Sequence, residues 1–510
     1  MRVRRKARAP ATGGTHRRRT HGVATALCSP IEALCPTDYR SPVAAQDRPA
    51  WRDRYDPLVA GVTGQLRALP TDAPVRLAKR TSNLFRSRAA TTSPGLDVSA
   101  FDGVLEVDPE TCTAQVLGMT TYEHLVDATL PYGLMPTCVP QLRTITLGGA
   151  VTGLGIESAS FRNGTPHEAV IEMDILTGSG DVVTVTGSPE DPDNALFYGF
   201  PNSYGSLGYA LRLKIELERT KPFVHLRHVR YPSAAAMAAA IEEISASREF
   251  AGRRVDFLDG TVFSASEQYL TLGEMVDEVP SGLRVSDYTG MDIYYRSLQR
   301  THEDVLTIHD YIWRWDTDWF WCSRAMGAQE PLIRRFWPKS KLRSDVYWKI
   351  VAWDRKFGFS AKVAALRGRP AREPVVQDIE VPVDRLVEFL DFFHAEVGIE
   401  PVWVCPLRQR DANVRWPLYE FDPNITYVNV GFWSTVAVPA GVDPAEGRVN
   451  RRIEEMVTAL DGRKSLYSTA FYDHETFWSI YGGSEYTRLK KTYDPDDRFL
   501  DLYQKVVGGK

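Results

Sequence analysis

Cysteine is scarce in this chain. Six are spread over 510 residues, at positions 28, 35, 112, 138, 322 and 405, with no CxxC pair and no His/Cys cluster at ligand spacing. That argues against a disulfide framework and against a structural metal site, and it fits a reducing, cytoplasmic setting. Long apolar runs are missing too: no stretch approaches the ~20 residues that cross a bilayer as a helix. Nor is there an excess of one charge. With 65 acids against 61 bases, nothing pulls the whole chain toward nucleic acid. What remains is an ordinary globular balance, 43% hydrophobic and 25% charged, in a chain long enough for two or three domains.

Residues 1–50 read as a disordered basic tail, with Arg17-Arg18-Arg19 inside a segment that has no apolar period. From about Val75 the pattern turns to short strands. Val104–Val107 and Ala114–Leu117 flank Asp108-Pro109-Glu110-Thr111, which predicts a hairpin. Thr120-Thr121-Tyr122-Glu123 predicts a capping box at the start of a short helix. A strand pair is expected over 170–176 and 182–186, and a half-buried strand over 209–218. Beyond Pro222 the character changes. Ser233 caps an alanine-rich helix, Pro382 precedes one that Gly398 ends, and Ile453, Met456, Val457 and Leu460 mark a third. Ten of the twelve tryptophans fall between Trp313 and Trp433, which predicts a second, α+β domain with an aromatic interior.

The stretch Leu142–Gly164, LRTITLGGAVTGLGIESASFRNG, is too rich in glycine and small hydroxyls to be all helix or strand interior. Backbone of this kind lets amide N–H groups and hydroxyls approach an anionic ligand closely, or else forms plain turns between strands. It is no Rossmann fingerprint, since Gly153-Leu154-Gly155 lacks a third glycine, and it is no P-loop, since no Gly-Lys-Ser/Thr follows. Upstream lies the polar loop Ala78-Lys79-Arg80-Thr81-Ser82-Asn83-Leu84-Phe85-Arg86; downstream, Tyr204-Gly205-Ser206-Leu207-Gly208-Tyr209 enters a strand.

This order of motifs resembles the FAD-binding domain of the vanillyl-alcohol oxidase (PCMH-type) flavoprotein superfamily. LGGAVTGLGIESAS, LFYGFPNSYGSLGYALRLKIEL, EPVVQDIEVPVDRL, VWVCPLR and SLYSTAFYDHETFW further resemble the Δ24-sterol reductase (Diminuto/seladin) branch. The actinobacterial flavoproteins that reduce 10-methylene acyl chains to 10-methyl ones are similar to the same branch. The eukaryotic sterol reductases carry an N-terminal membrane anchor that has no counterpart in residues 1–50. The resemblance implies an α+β fold: a two-subdomain FAD domain over 51–220, a cap over 221–464 that holds substrate, and a segment 465–510 returning to complete the flavin site. It implies flavin contacts from Lys79, Thr81, Ser82 and Asn83 in a first loop. A second loop would add Thr146, Leu147, Gly148, Gly149, Gly153, Gly155, Ile156, Ser158 and Ser160, and a turn would add Gly205, Leu207 and Gly208. With no His or Cys in Lys79–Arg88, the FAD is expected to be non-covalent.

Leu466-Tyr467 matches a position where such flavoproteins set a tyrosine against the flavin ring; a core tyrosine is the other reading. Relatives that oxidise alcohols have a lysine three residues on, where this chain has Ala470, which argues against alcohol oxidation. Glu157 fits either a proton donor or a carboxylate tied to the amides of its own loop. His309 and Tyr311 begin an aromatic stretch to Trp321 that fits an apolar substrate channel with a proton source, or packing between domains. Arg334–Arg343 mixes cations with aromatics and suits an anionic lipid surface, an NADPH 2′-phosphate or a solvated face. The expected function is FAD-dependent, NADPH-linked reduction of an isolated C=C bond in a lipid. A methylene-branched acyl chain is the first choice and a Δ24 sterol the alternative, with a flavin alcohol oxidase and a non-catalytic lipid-binding protein further behind. A methyltransferase that makes the methylene chain is the expected pathway partner, and the enzyme is expected in the cytoplasm or at the inner membrane face.

Overall fold

The computed structural model describes residues 49–507 apart from 72–73, 80–84, 87–94, 358–361 and 363–365. The expected tail, up to residue 48, lies outside the described residues, and so do Thr81, Ser82 and Asn83. The first described element is α1 (Trp51–Ala68), whose Tyr55, Val62 and Leu66 pack with Leu117, Leu176 and Leu211.

One antiparallel sheet is built from β1 (Val104–Asp108), β2 (Thr113–Leu117), β3 (Leu134–Pro136), β4 (Val170–Leu176), β5 (Val182–Thr186) and β6 (Tyr209–Arg219). Its order is β1-β2-β6-β4-β5, with β3 also pairing β6. The β1–β2 hairpin turns where expected, because the Asp108 carboxylate accepts the Glu110 and Thr111 amides at 2.9 and 3.2 Å. The helix after it, α2 (Tyr122–Thr129), departs from the expected capping box. Its cap is Thr121, which accepts the His124 amide, while Thr120 bonds with Gly103. Glu123 serves elsewhere, in ion pairs with Arg343 and Arg143 at 2.7 and 3.1 Å. The glycine-rich stretch opens as α3 (Leu147–Thr152), with Thr146 as its N-cap.

The second sheet begins directly after the first ends. Its strands are β7 (Phe223–Tyr231), β8 (Phe257–Ser264), β9 (Glu267–Val276), β10 (Glu303–Thr307), β11 (Arg372–Pro382), β12 (Val402–Leu407), β13 (Tyr427–Ala437) and β14 (Arg463–Lys464), in the order β10-β7-β9-β8-β12-β13-β11-β14. Helix α4 (Ala234–Ser247), capped by Ser233, follows β7; α5 (Pro331–Phe336) and α6 (Ser344–Phe357) lie between β10 and β11; α7 (Leu386–Phe392) and α8 (Arg448–Ala459) come after β11.

The period-2 alternation of strands decides which residues face the helices and which face the rest of the molecule. Val375, Ile379 and Val381 of β11, Val402 and Val404 of β12, and Val428, Val430 and Phe432 of β13 share a core with Ile241 of α4, Phe389 of α7 and Ile453 of α8. The alternate residues, Asp378, Trp403, Asn429 and Trp433, point the other way. At the end of β14, buried Lys464 donates to Glu454 and to the Thr469 carbonyl, each at 2.6 Å. This fixes the path of the segment that carries Tyr467. The Phe85 amide then donates to the Tyr467 carbonyl at 2.9 Å, tying the late segment to the chain ahead of β1. Among the described residues no helix is long and apolar enough to cross a membrane.

Candidate active site

The face of β11–β13 turned away from the helices forms one wall of an open cleft of about 230 Å³. Its opposite wall is the glycine-rich stretch. Of the residues the sequence singles out for cofactor binding, Lys79, Thr146, Gly148, Gly149, Gly153, Gly155, Ile156, Gly205 and Tyr467 line this cleft. Leu147, Ser158, Ser160, Leu207 and Gly208 do not: all are packed behind the wall. Leu147 and Leu207 belong to the core, the Ser160 hydroxyl accepts the Glu157 amide at 3.0 Å, and Gly208 lies on β4.

Gly148 shows why this wall is glycine. A Cβ there would stand 2.6 Å from the Gly118 carbonyl oxygen, so the backbone of α3 approaches β2 more closely than any side chain allows. Small residues on one side leave the cleft open on the other. Buried polar atoms on its lining residues that have no hydrogen-bond partner among the described residues include Gln141 Nε2, Asn429 Oδ1 and the Tyr204 hydroxyl. Donors and acceptors left over in a mainly apolar cleft suit a ligand with a few hydrogen-bonding groups of its own.

Across the cleft, Trp319, Phe320, Trp403 and Trp433 supply an aromatic wall, with Phe320 and Trp433 ring centroids 4.3 Å apart. Asp378 sits within it. The register places Asp378 opposite Gly431 and Val376 opposite Trp433. A Cβ on Gly431 would strike the Asp378 carboxylate at 2.3 Å, so only glycine lets the acid occupy that spot. Burial raises the Asp378 carboxyl to about 7, against hydrogen bonds with Asn429 and Tyr467 that favour its ionised form. The Asn429 amide donates to Asp378 at 3.2 Å, and the Trp433 indole donates to the Tyr467 hydroxyl at 2.9 Å. One residue further along the same face, burial raises Glu380 to about 8, and the neighbouring Asp378 charge raises it further. Two acids, half-buried Asp378 and buried Glu380, two residues apart on one face of a strand were the available signal for this site, and no motif reading assigns either a role.

Three of the expected catalytic residues do not line the cleft. Glu157 is buried behind the glycine loop, where its carboxylate accepts the Ser158 hydroxyl and the Ala159 amide, each at 2.9 Å. Burial raises it to about 7 even though Arg314 pulls it down. Tyr311 is buried beside it, with its hydroxyl 2.7 Å from Ser158 Oγ and the Arg314 guanidinium 3.9 Å from its ring centroid. His309 is half-buried at the surface, near Asp127 and Asp310. The aromatic stretch divides accordingly: Trp319 and Phe320 reach the cleft, while Trp313 and Trp315 are core.

Comparison with known proteins identifies residues 67–186 as an FAD binding domain. Over 454 residues the chain is 23% identical to the Delta(24)-sterol reductase of Arabidopsis thaliana, covering 81% of this chain and 77% of that protein. It is 25% identical to the Delta(24)-sterol reductase of Homo sapiens over 420 residues, 79% and 76% of the two. It is also 32% identical over 385 residues to Cytokinin dehydrogenase 5 of Oryza sativa subsp. japonica, 71% of this chain and 67% of that one.

Proposed function

The chain belongs to the PCMH-type family of FAD-binding flavoproteins, near the Δ24-sterol reductases, and is an FAD-dependent oxidoreductase; from this premise we propose that it reduces an isolated C=C bond in a lipid, converting a 10-methylene acyl chain to the 10-methyl chain with NADPH as reductant. The observation that carries the reading is a proton-holding acid set in an aromatic wall, Asp378 among Trp319, Phe320, Trp403 and Trp433, across a cleft from a glycine loop.

An unconjugated alkene does not take up hydride directly, because no carbonyl holds the resulting carbanion. Addition therefore starts with a proton. The π pair forms a C–H bond at the methylene carbon and leaves a tertiary cationic centre beside it. Asp378 is the residue placed to hold that proton near neutral pH, with Tyr467 and Asn429 orienting its carboxyl group. The faces of the surrounding rings favour the cationic centre by cation–π attraction of ~1–2 kcal/mol once water is excluded. Bound FAD would supply the hydride that completes the addition. Lys79, Thr146, Gly148, Gly149, Gly153, Gly155 and Gly205 would hold it, with Gln141 offering its unused N–H.

A second reading is reduction of a Δ24 sterol side chain, which would give the same kind of tertiary centre; the sterol reductase relatives favour it. One experiment tests both. The enzyme is expressed in a host supplied with the methyltransferase that makes 10-methylene stearate, and its fatty acids are analysed by gas chromatography. Appearance of 10-methylstearate supports the first reading. Unchanged methylene lipid alongside reduction of a Δ24 sterol replaces it with the second, and reduction of neither overturns both.

A further inference from the structure

We propose that α5 and α6 form a docking surface for an anionic phospholipid bilayer, an inference that rests on the reading of the cleft as a lipid site. Large apolar side chains are concentrated on these two helices and face water. Leu332 is 77% exposed and Phe336 81%, on one stripe of α5 with Ile333. Trp353 is 55% exposed and Phe357 50%, at positions three and seven beyond exposed Ile350 on α6.

Their exposure is not the result of loosely draped helices. Buried Arg334 fastens α5 by an ion pair with Asp318 at 2.7 Å and by donating to the Gly290 and Asp292 carbonyls. Arg343 fastens the start of α6 through both Glu123 oxygens, at 2.7 and 2.8 Å. Tyr347, under Trp337, donates to the Thr317 carbonyl at 3.1 Å. The two arginines at the ends of the cationic-aromatic run are thus structural, while Arg335, Lys341 and Lys349 remain exposed among the apolar side chains. The acids nearby include exposed Glu330 and half-buried Asp345, the latter engaged by Arg343 and, at 3.4 Å, by Lys349.

Protruding apolar side chains interleaved with cations match the two layers of a membrane surface, acyl chains below and anionic head groups above. A second protein would more often meet a concave or flat apolar patch with a polar rim. Position supports the same partner. On its inner side α6 presents Trp348, which packs on Trp319 and Phe85 with centroids 6.1 and 5.0 Å away, and both of those line the cleft. The surface that would touch the bilayer is therefore one helix thickness from the aromatic wall that would receive a lipid chain.

The test is flotation of the flavin-loaded enzyme with vesicles of phosphatidylglycerol and phosphatidylcholine, compared with phosphatidylcholine alone. The wild type is expected to float with the anionic vesicles, less so at high salt. Leu332→Asp with Phe336→Asp, and separately Trp353→Asp, are each expected to weaken binding by at least ~10-fold while leaving flavin content unchanged. Failure of the wild type to float, undiminished flotation of the variants, or light scattering showing a dimer that Phe336→Asp splits would overturn the proposal. Turnover of a phospholipid carrying the 10-methylene acyl chain, dispersed in detergent, is measured in parallel. Inactivity there with flotation intact strikes at the function assigned to the cleft, whereas activity there with no flotation strikes at the docking surface alone.

Discussion

The indole N–H of Trp433 donates to the Tyr467 hydroxyl across 2.9 Å, from adjacent walls of one cleft. Tryptophan has no acceptor to offer in return, so the phenol's own proton is left to Asp378, and the chain of hydrogen bonds runs in one direction. Asp378 must hold a proton to deliver it. Activity is therefore expected to be level at low pH and to fall as pH rises through about 7. Asp378→Asn should lower turnover by at least ~10²-fold with flavin still bound, the range for loss of a general acid. A steady-state pH profile of kcat checks both. Full activity in Asp378→Asn would remove the residue from the chemistry.

Tyr467→Phe tests the direction of that chain. The tyrosine hydrogen bond favours the Asp378 anion, so removing it raises the carboxyl further. The alkaline limb of the profile is expected to move upward by roughly half a unit to one unit, within the usual reach of a single hydrogen bond. A limb that moves downward contradicts the assignment.

The sequence made local structure legible and left long-range register hidden. Ser233, Asp108 and Gly398 act on backbone a few residues away, and each does what its type predicts. Tyr467 stood out because a motif carries it. Asp378 did not, because its role depends on the pairing of β11 with β13, which brings Gly431 opposite and Trp433 alongside. Glu157 was legible as a carboxylate in a tight loop, but not the direction it points; Ser158 and Ala159 claim it behind the wall. His309 shares a segment with buried tryptophans yet sits half-buried at the surface, on the short helix Ile308–Ile312 that begins it, a distinction that composition does not make.

Flavin is expected to be held without a covalent bond. Acid precipitation of the purified enzyme should release yellow colour into the supernatant. Colour retained in the pellet would mean an attachment that Lys79–Arg88, with neither His nor Cys, does not provide.

Gly148→Ala and Gly64→Ala separate the close approach at the cleft wall from ordinary glycine cost. A methyl at Gly148 must move the Gly118 carbonyl, and a loss of about 1–3 kcal/mol with reduced flavin occupancy is expected. Gly64 lies inside α1 with nothing within 4 Å of its added Cβ. Alanine there is expected to gain roughly 0.5–1 kcal/mol and leave flavin untouched. Thermal melting and the ratio of flavin to protein absorbance read both.

Glu157 gives a stability effect with a definite sign. Its folded carboxyl is raised to about 7 by burial, above the ordinary carboxylate value it regains on unfolding. The folded state therefore binds the proton more tightly. That advantage is complete below the unfolded value, near 4.5, and is lost as pH rises through about 7. Glu157→Gln carries no charge to bury, and its amide oxygen still accepts from Ser158 or Ala159. The variant is expected to match the wild type near pH 4.5 and to exceed it at pH 8 by roughly 1–3 kcal/mol. Because Glu157 does not line the cleft, kcat should change far less than in Asp378→Asn. Urea unfolding at the two pH values, with turnover measured on the same preparations, decides the point: a variant that is less stable at pH 8, or as inactive as Asp378→Asn, returns Glu157 to the list of proton donors.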